Sequence, residues 1–457
     1  MPFVILPTNS ASGGYDITNS ARFNSGSSDN LSKTFGTATS RRIFTISTWI
    51  KRSNLDTVQN LFTAGTGSGD AGIRFNSGNE LFFYEISSPY SAYNFEFSTS
   101  QLFRDVSAWY HIVVAVDTTQ ATNTNRVKIY VNGSQITAFG VASYPSQNYD
   151  SYLNNSVTHR ISGAVDTTFG TRYYNGYVSE TYFIDGQQLT PTSFGETDED
   201  TGIWKPKAYT GTYGTNGFYL QFKNSASLGT DSSGNGNTFT VNNLTSVDQS
   251  TDTPTNNFAT TNPLDQNGGM TFTDGNLSTA STSASWRSTR ATFGITQGKW
   301  YWEVKAVNTG GSLLDMMVGV SDISIAIPAE FSSSNPALTY TAGSGNKQLN
   351  GVNTSYGATY NVGDIIGVAF DADALTVIFY KNGTSQGTIT TGWSSGLTWS
   401  PAISLYGRYG NTQASWNFGN PPYTGGSYTD GAGFGNFSYS VPSGYYALNT
   451  KNLATFG

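Results

Sequence analysis

Two stretches of the chain share one pattern of apolar and polar positions. In Trp109 to Gly133, WYHIVVAVDTTQATNTNRVKIYVNG, apolar side chains fill Ile112 to Val116 almost without a gap. That predicts a strand buried on both faces. Asp117 to Arg126 is too polar to bury and reads as a turn. Val127, Ile129 and Val131 then alternate with Lys128 and Tyr130, which gives a strand with one apolar face. Asn132-Gly133 supplies the positive backbone angles of a two-residue hairpin. The pattern returns in Asp364 to Gly383, DIIGVAFDADALTVIFYKNG, which closes on Asn382-Gly383. Two sandwich domains are expected, each built around one such hairpin.

Short runs of the same kind lie between turns through the rest of the chain. Phe44, Ile46, Thr48 and Ile50 alternate with Thr45, Ser47 and Trp49. Leu61 to Ala64, Ile73 to Phe75, Glu80 to Ile86 and Gly176 to Asp185 read as further strands, and so do Lys299 to Val304, Met316 to Val320, Ala402 to Tyr406 and Ser415 to Phe418. The expected division is an N-terminal arm over 1–20, a first sandwich over 21–241, a linker over 242–267, a second sandwich over 268–420, and a loop and tail over 421–457. The linker is placed where TDTPTNNFATTNPLDQ loses apolar periodicity and gains proline. For the arm two readings stay open: an edge strand of the first sandwich, or a segment that docks on another protein.

Composition narrows the class to all-β. The 51 glycines and 28 residues each of Tyr and Phe favour turns and strands, and no long run of strong helix formers occurs. A net charge of −7 without basic clusters beyond Arg41-Arg42 argues against a nucleic-acid partner. With no cysteine, disulfides and thiolate metal sites are excluded. MPFVILP is too short for a signal-peptide core, and no stretch is apolar enough to insert into a membrane.

The segments WYHIVVAVD, RVKIYVNG and YNGYVSETYFIDGQQLTP resemble the laminin-G-like branch of the concanavalin A-like sandwiches, with Trp109, Gly133 and Gly176 at the family's positions. The resemblance covers roughly 20–240. GKWYWEV (298–304), VGV (318–320), VGDIIGVAFDADALTVIFYKNG (362–383), SPAISLY (400–406) and WNFG (416–419) resemble a SPRY domain in order and spacing. The implied fold is two antiparallel jelly-roll sandwiches in tandem. The tandem, with its DSSGNGNTFTVNN turn and closing VPSGYYALNT, resembles virion proteins of marine tailed phages. The resemblance implies a tail fibre or surface appendage, made in the bacterial host cytoplasm and carried in many copies or as a homo-oligomer. Its partners would be other virion proteins and a host-surface glycan or protein. The alternatives are a decoration protein that binds only virion subunits, and a glycan hydrolase.

Catalytic chemistry finds little to stand on. His111 and His159 are the only imidazoles, and both sit in strand-like sequence. Glycan-cleaving sandwiches carry an E-x-D-x-x-E strand; here Glu180 and Asp185 are five apart and fall on opposite faces, while Glu85 and Glu303 stand alone. No cofactor is expected. The laminin-G-like resemblance implies at most calcium in rim loops, with Asp117, Asp150 and Asp166 as ligands; isolated Asp residues also simply build turns. Tyr90, Tyr93, Tyr144, Tyr149 and Tyr152 lie in polar loops and suit sugar stacking, a protein interface, or local packing beneath those loops. In the second half Trp393 is expected to be exposed and Trp399 structural. The SPRY resemblance adds Tyr406, Arg408 and Tyr409 at a loop tip.

Overall fold

The computed structural model describes residues 14–165, 168, 170–308, 315–333, 336–407 and 410–457. The described chain is nearly all β, and its one α-helix is Thr450–Phe456. It divides between Thr255 and Asn256 into two bodies. Residues 1–13 of the expected arm lie outside the described residues. Residues 14–20 belong to the first body: Ile17 is buried, and its amide donates to Thr255 Oγ1 at 3.0 Å.

The first body has two large antiparallel sheets and a two-stranded ribbon, Gly195–Thr197 with Trp204–Pro206. One runs in spatial order through Ser134–Gln135, Val127–Val131, Trp109–Asp117, Ile43–Arg52, Gly176–Asp185, Ser20–Phe23 and Gln249–Ser250, and Phe218–Leu220 also pairs with Gly176–Asp185. The other runs through Phe139–Ser143, Tyr93–Leu102, Glu80–Ser87, Gly69–Phe75, Gln59–Thr66, Thr158–Ile161, Asn30–Thr34 and Thr240–Asn242. Phe44, Ile46, Ile50, Ile112 and Val114 of the first sheet meet Phe62, Ile73, Phe83 and Phe97 of the second in one core. The opposite face of Trp109–Asp117 is also buried: Val113 and Ala115 pack against Tyr130, Tyr182 and Phe194. This double burial is why the strand has no polar alternation.

The predicted hairpin turn forms with Asn132 at φ 47° and Gly133 at φ 80°. Gly133 is needed for space as well. A Cβ there would lie 2.4 Å from the Trp204 ring, which packs on the turn while its Nε1–H donates to His111 Nδ1 at 2.9 Å. The second hairpin repeats the geometry, with Asn382 at 48° and Gly383 at 79°.

The second body has one sheet ordered Thr261–Gln266, Trp286–Ala291, Trp399–Tyr406, Met316–Asp322, Ala337–Thr341, Asn346–Leu349 and Val352–Ser355. The facing sheet is ordered Met270–Thr273, Ser278–Ser281, Thr412–Asn417, Lys299–Asn308, Ile365–Asp371, Thr376–Lys381 and Thr384–Thr390. Trp300, Trp302, Trp399 and Trp416 fill the space between them.

The expected linker over 242–267 is instead divided between the two bodies. Gln249–Ser250 extends a sheet of the first, and Asp252 is buried there against Lys51. Thr261–Gln266 is a strand of the second, where the buried Arg290 guanidinium grips Asp265 at 2.8 Å. Sequence periodicity missed this because single polar side chains, not apolar stripes, fasten the segment.

The tail over 421–457 folds back on the second body. Tyr446–Ala447 pairs in parallel with Lys299–Asn308. The Glu303 carboxylate accepts from the Ser438 and Tyr439 amides at 2.9 and 3.0 Å and from Asn417 Nδ2 at 2.9 Å. Glu303→Gln puts an –NH2 where one of these donors needs an acceptor, so a loss of about 1–3 kcal/mol is expected. Hydrogen exchange at Ser438 and Tyr439 should accelerate in the variant; unchanged protection of both amides would show that the carboxylate does not hold the tail.

Candidate functional site

The five loop tyrosines of the first body fall into two groups. Tyr144 sets its edge on Phe97, with ring centroids 4.9 Å apart. Tyr149 sets its edge on Phe95 and donates its hydroxyl to Glu85 Oε1 at 2.6 Å. The Tyr152 amide donates to Glu85 Oε2 at 3.0 Å, and Ser151 Oγ donates to the same oxygen at 2.6 Å. Glu85 therefore fastens this loop to the sheet, and these three rings pack against the core beneath it. Burial raises the Glu85 carboxyl above its ordinary pKa, while the Ser151 and Tyr149 hydroxyls pull it back.

Tyr90 and Tyr93 belong to a different cluster. Leu81 and Phe83 point into the core, so Phe82, Tyr84 and Ile86 stand on the opposite face of the same strand. Register fixes their neighbours: Arg74 lies opposite Phe82, Asp70 opposite Ile86, and Ile86 opposite Tyr93. The Arg74 guanidinium lies 4.6 Å from the Phe82 ring centroid and 4.4 Å from that of Tyr84. The Tyr84 hydroxyl donates to Asp70 Oδ2 at 2.5 Å. Tyr93 sets its edge on Phe82 and Tyr84 at 5.6 and 6.0 Å, and its hydroxyl is 3.5 Å from Arg74 Nη2. Tyr93 is 37% exposed, so it carries the cluster to solvent. Arg172 adds a second guanidinium, whose pKa is lowered by burial and then by the charge of Arg74.

Periodicity did not single out Asp70, Arg74, Phe82, Tyr84 or Arg172. The signal was present in ELFFYEIS, where both faces of one strand are apolar beside the arginine of GIRF. A strand with no polar face needs a cover on each side.

The expected calcium ligands do not converge among the described residues. Asp117 closes its own turn, accepting from the Thr119 amide and hydroxyl at 3.0 and 2.6 Å and from Gln120. Asp150 is exposed and paired with Arg42 at 2.9 Å. Asp166 lies outside the described residues. No group of three His, Cys, Asp or Glu among the described residues is placed to hold a metal.

The buried carboxylates are hydrogen-bond hubs. Glu180 accepts from the hydroxyls of Tyr182, Tyr219 and Tyr15 at 2.7, 2.6 and 3.1 Å. Asp185 accepts from the amides of Thr39, Ser40 and Asn216 and from Asn154 Nδ2. Each is enclosed by donors and none of these donors is a second acid.

In the second body the expectation for Trp393 is corrected. It is 8% exposed, stacks on Trp399 at 4.0 Å and donates from Nε1 to Asn350 Oδ1 at 2.8 Å. Its polar neighbours in sequence concealed a partner ring six positions on. Tyr406 is half-buried with its ring edge on Trp286 at 5.5 Å. Arg408 and Tyr409 lie outside the described residues.

Comparison with known proteins agrees with the two bodies. The Laminin_G_3 profile, described as the concanavalin A-like lectin/glucanases superfamily, matches residues 20–193. The SPRY domain profile matches residues 299–421. Among solved structures, the chain is similar to the SPRY domain of human HERC1 at 22% identity, covering 34% of this chain and 96% of that one with a TM-score of 0.31. A human SPRY domain is similar at 17% identity, with coverage of 33% and 94% and a TM-score of 0.27. The TRIM65 PSpry domain is similar at 15% identity, with coverage of 35% and 91% and a TM-score of 0.29. No curated protein matches.

Proposed function

We propose, for a chain that pairs a concanavalin A-like domain with a SPRY domain, a non-catalytic adhesion role on the surface of a tailed-phage particle. The protein binds a host-surface glycan through its first body. The observation that carries this reading is the cluster around Tyr93, where an exposed ring is backed by a guanidinium stacked on two further rings. Flat rings take the C–H faces of a sugar, and fixed donors take its oxygens. The carboxylates support binding over cleavage. A retaining or inverting glycosidase needs two acids facing one bond, whereas Glu85, Glu180, Glu303 and Asp185 are each spent on holding neighbouring segments. Weak single sites gain strength when many copies stand on one particle.

The virion assignment rests on the tandem order and the segments that resemble phage appendage proteins. Protein mass spectrometry of phage particles purified from a lysate in which the chain is made tests it. The expected result is this chain in several copies per particle. Its presence in the lysate and absence from particles would contradict the assignment. Residues 14–20 are part of the first body, so attachment through the N-terminus is tested by deleting 1–13 alone. Loss from the particle with both bodies still folded is expected.

A further inference from the structure

One end of the second sheet of the first body is an unguarded strand. Phe139–Ser143 ends that sheet beside Tyr93–Leu102, and among the described residues it pairs on that side only. Its register shift lies between Phe139 and Val141; Val141, Ala142 and Ser143 then pair in step with Ser98, Phe97 and Glu96. Gly140 to Ser143 are all exposed. The strands at the other ends of the two large sheets are shorter: Ser134–Gln135 and Gln249–Ser250 have two residues each and Thr240–Asn242 has three. Folded proteins blunt a longer edge with Lys, Pro or an inward charge. The strand FGVAS carries none of these.

Two observations say what covers this edge. Among the described residues the first body leaves three large apolar side chains exposed, Tyr93, Leu102 and Val141, and all three lie on the last two strands of this one end. Val141 stands opposite Ser98, and Ser98 opposite Phe82, so Val141 shares the outward face with Phe82 and Tyr93. Exposed apolar side chains gathered in one place mark an interface. The second observation is charge. From Ile129 to Tyr149 there is no charged residue, on a chain whose total is −7. Two copies of an acidic chain repel over most of their surface, and along this edge they meet without setting like charges against each other. Turned about a two-fold axis through Val141, the strand lays Gly140 against Ala142 and Phe139 against Ser143 of the second copy, so every pair is uncharged.

We propose that a second copy of this chain pairs antiparallel with Phe139–Ser143, centred on Val141, so that the sheet runs on from one copy into the other. The free N–H and C=O groups of the edge then find backbone partners, and the two Val141 side chains meet across the axis. An axis normal to the sheet keeps the same face outward in both copies. The two Tyr93 rings therefore stand on one side, where a single polysaccharide meets both. That last consequence rests on the glycan-binding reading; the pairing does not.

The test uses the intact chain, without glycan. Sedimentation from about 1 to about 500 µM should show a monomer passing into a dimer, because a short strand pairing buries less than a standard interface. Val141→Lys sets like charges opposite each other and should move dimer formation to about tenfold higher concentration, with thermal unfolding unchanged. Ser134→Lys, on the two-residue edge of the other sheet, should leave it where it was. The chain has no cysteine, so Val141→Cys introduces its only thiol. Side chains directly opposed across antiparallel strands come close enough for a disulfide, and mild oxidation should give a covalent dimer as the main product. Val352→Cys, at an exposed position on the edge strand Val352–Ser355 of the second body, should stay mostly monomeric. A monomer at every concentration overturns the pairing. A dimer that Val141→Lys leaves intact, or that is trapped as readily through Val352→Cys as through Val141→Cys, overturns its location.

Discussion

Acidifying the intact protein from about pH 7.5 to about pH 5 is expected to destabilise the first body selectively, by roughly 2 kcal/mol for each of its two histidines. Burial lowers His111 and His159 to a pKa of about 3, from an ordinary value of 6.5. The contacts explain why neither takes a proton. The Trp204 indole can only donate, so His111 Nδ1 is its acceptor, and Nε2–H faces Ser47 Oγ at 2.8 Å. The Asn154 amide donates to His159 Nε2, which leaves Nδ1–H for the Val157 carbonyl at 2.9 Å. Protonation would set an N–H against an N–H in each case. Unfolded histidine binds a proton below about 6.5 and the folded form does not until about 3, so stability falls as the pH drops through that window.

Glu85 and Glu180 work in the opposite direction. Burial raises both folded pKa values, so their contribution is present below 4.5 and is lost as the pH rises through the folded value. They return part of what the histidines remove. In the second body burial raises Glu303 in the same sense, and there is no histidine to oppose it. Calorimetry of the full chain should therefore show one transition falling by several degrees on acidification while the other holds or rises. Hydrogen exchange should assign the falling transition to residues 14–255. Two transitions that fall together, or a second body that fails first, would refute the assignment.

Asp252→Ala is expected to cost the first body about 3–5 kcal/mol, because it leaves a buried ammonium without its counter-charge. Lys51 Nζ and Asp252 Oδ2 are 2.8 Å apart, with both side chains 1% exposed. Trp109 Nε1–H donates to the other carboxylate oxygen at 3.0 Å, and Ser20 Oγ donates to the Asp252 carbonyl at 2.7 Å. This residue thus joins the end of the first body to three of its strands. Replacing the pair together, as Lys51→Met with Asp252→Leu, should cost far less, with the unpaired Trp109 indole as the remaining penalty of about 1–3 kcal/mol. Urea unfolding of the three proteins measures the difference. Equal losses in the single and double variants would show that the charge pairing is not what matters. By the same logic a chain ended at residue 241 should fold poorly, and one ended at Thr255 should fold.

The parts of the fold that were legible in the sequence are those written in apolar periodicity. Both Asn-Gly hairpins and their buried strands appear where the pattern put them, because side-chain alternation and positive φ are local properties. The linker expectation failed for the opposite reason. Asp252 and Asp265 find partners some 201 and 25 positions away, and no window of sequence displays such a partner. Tyr149 and Tyr152 are legible as loop residues, but no local pattern shows that Glu85 accepts their hydrogen bonds. Arg74 and Tyr84 lie in neighbouring strands, whose shared outer face only becomes meaningful once the sheet order is known.

The central claim is that the protein holds glycans without cutting them. The direct measurement is the intact chain on an array of bacterial surface glycans, with every retained polysaccharide sized before and after incubation. Selective retention, abolished by Tyr93→Ala, with chain lengths unchanged is the predicted result. Shortened polysaccharide, or no glycan retained at all, would contradict it.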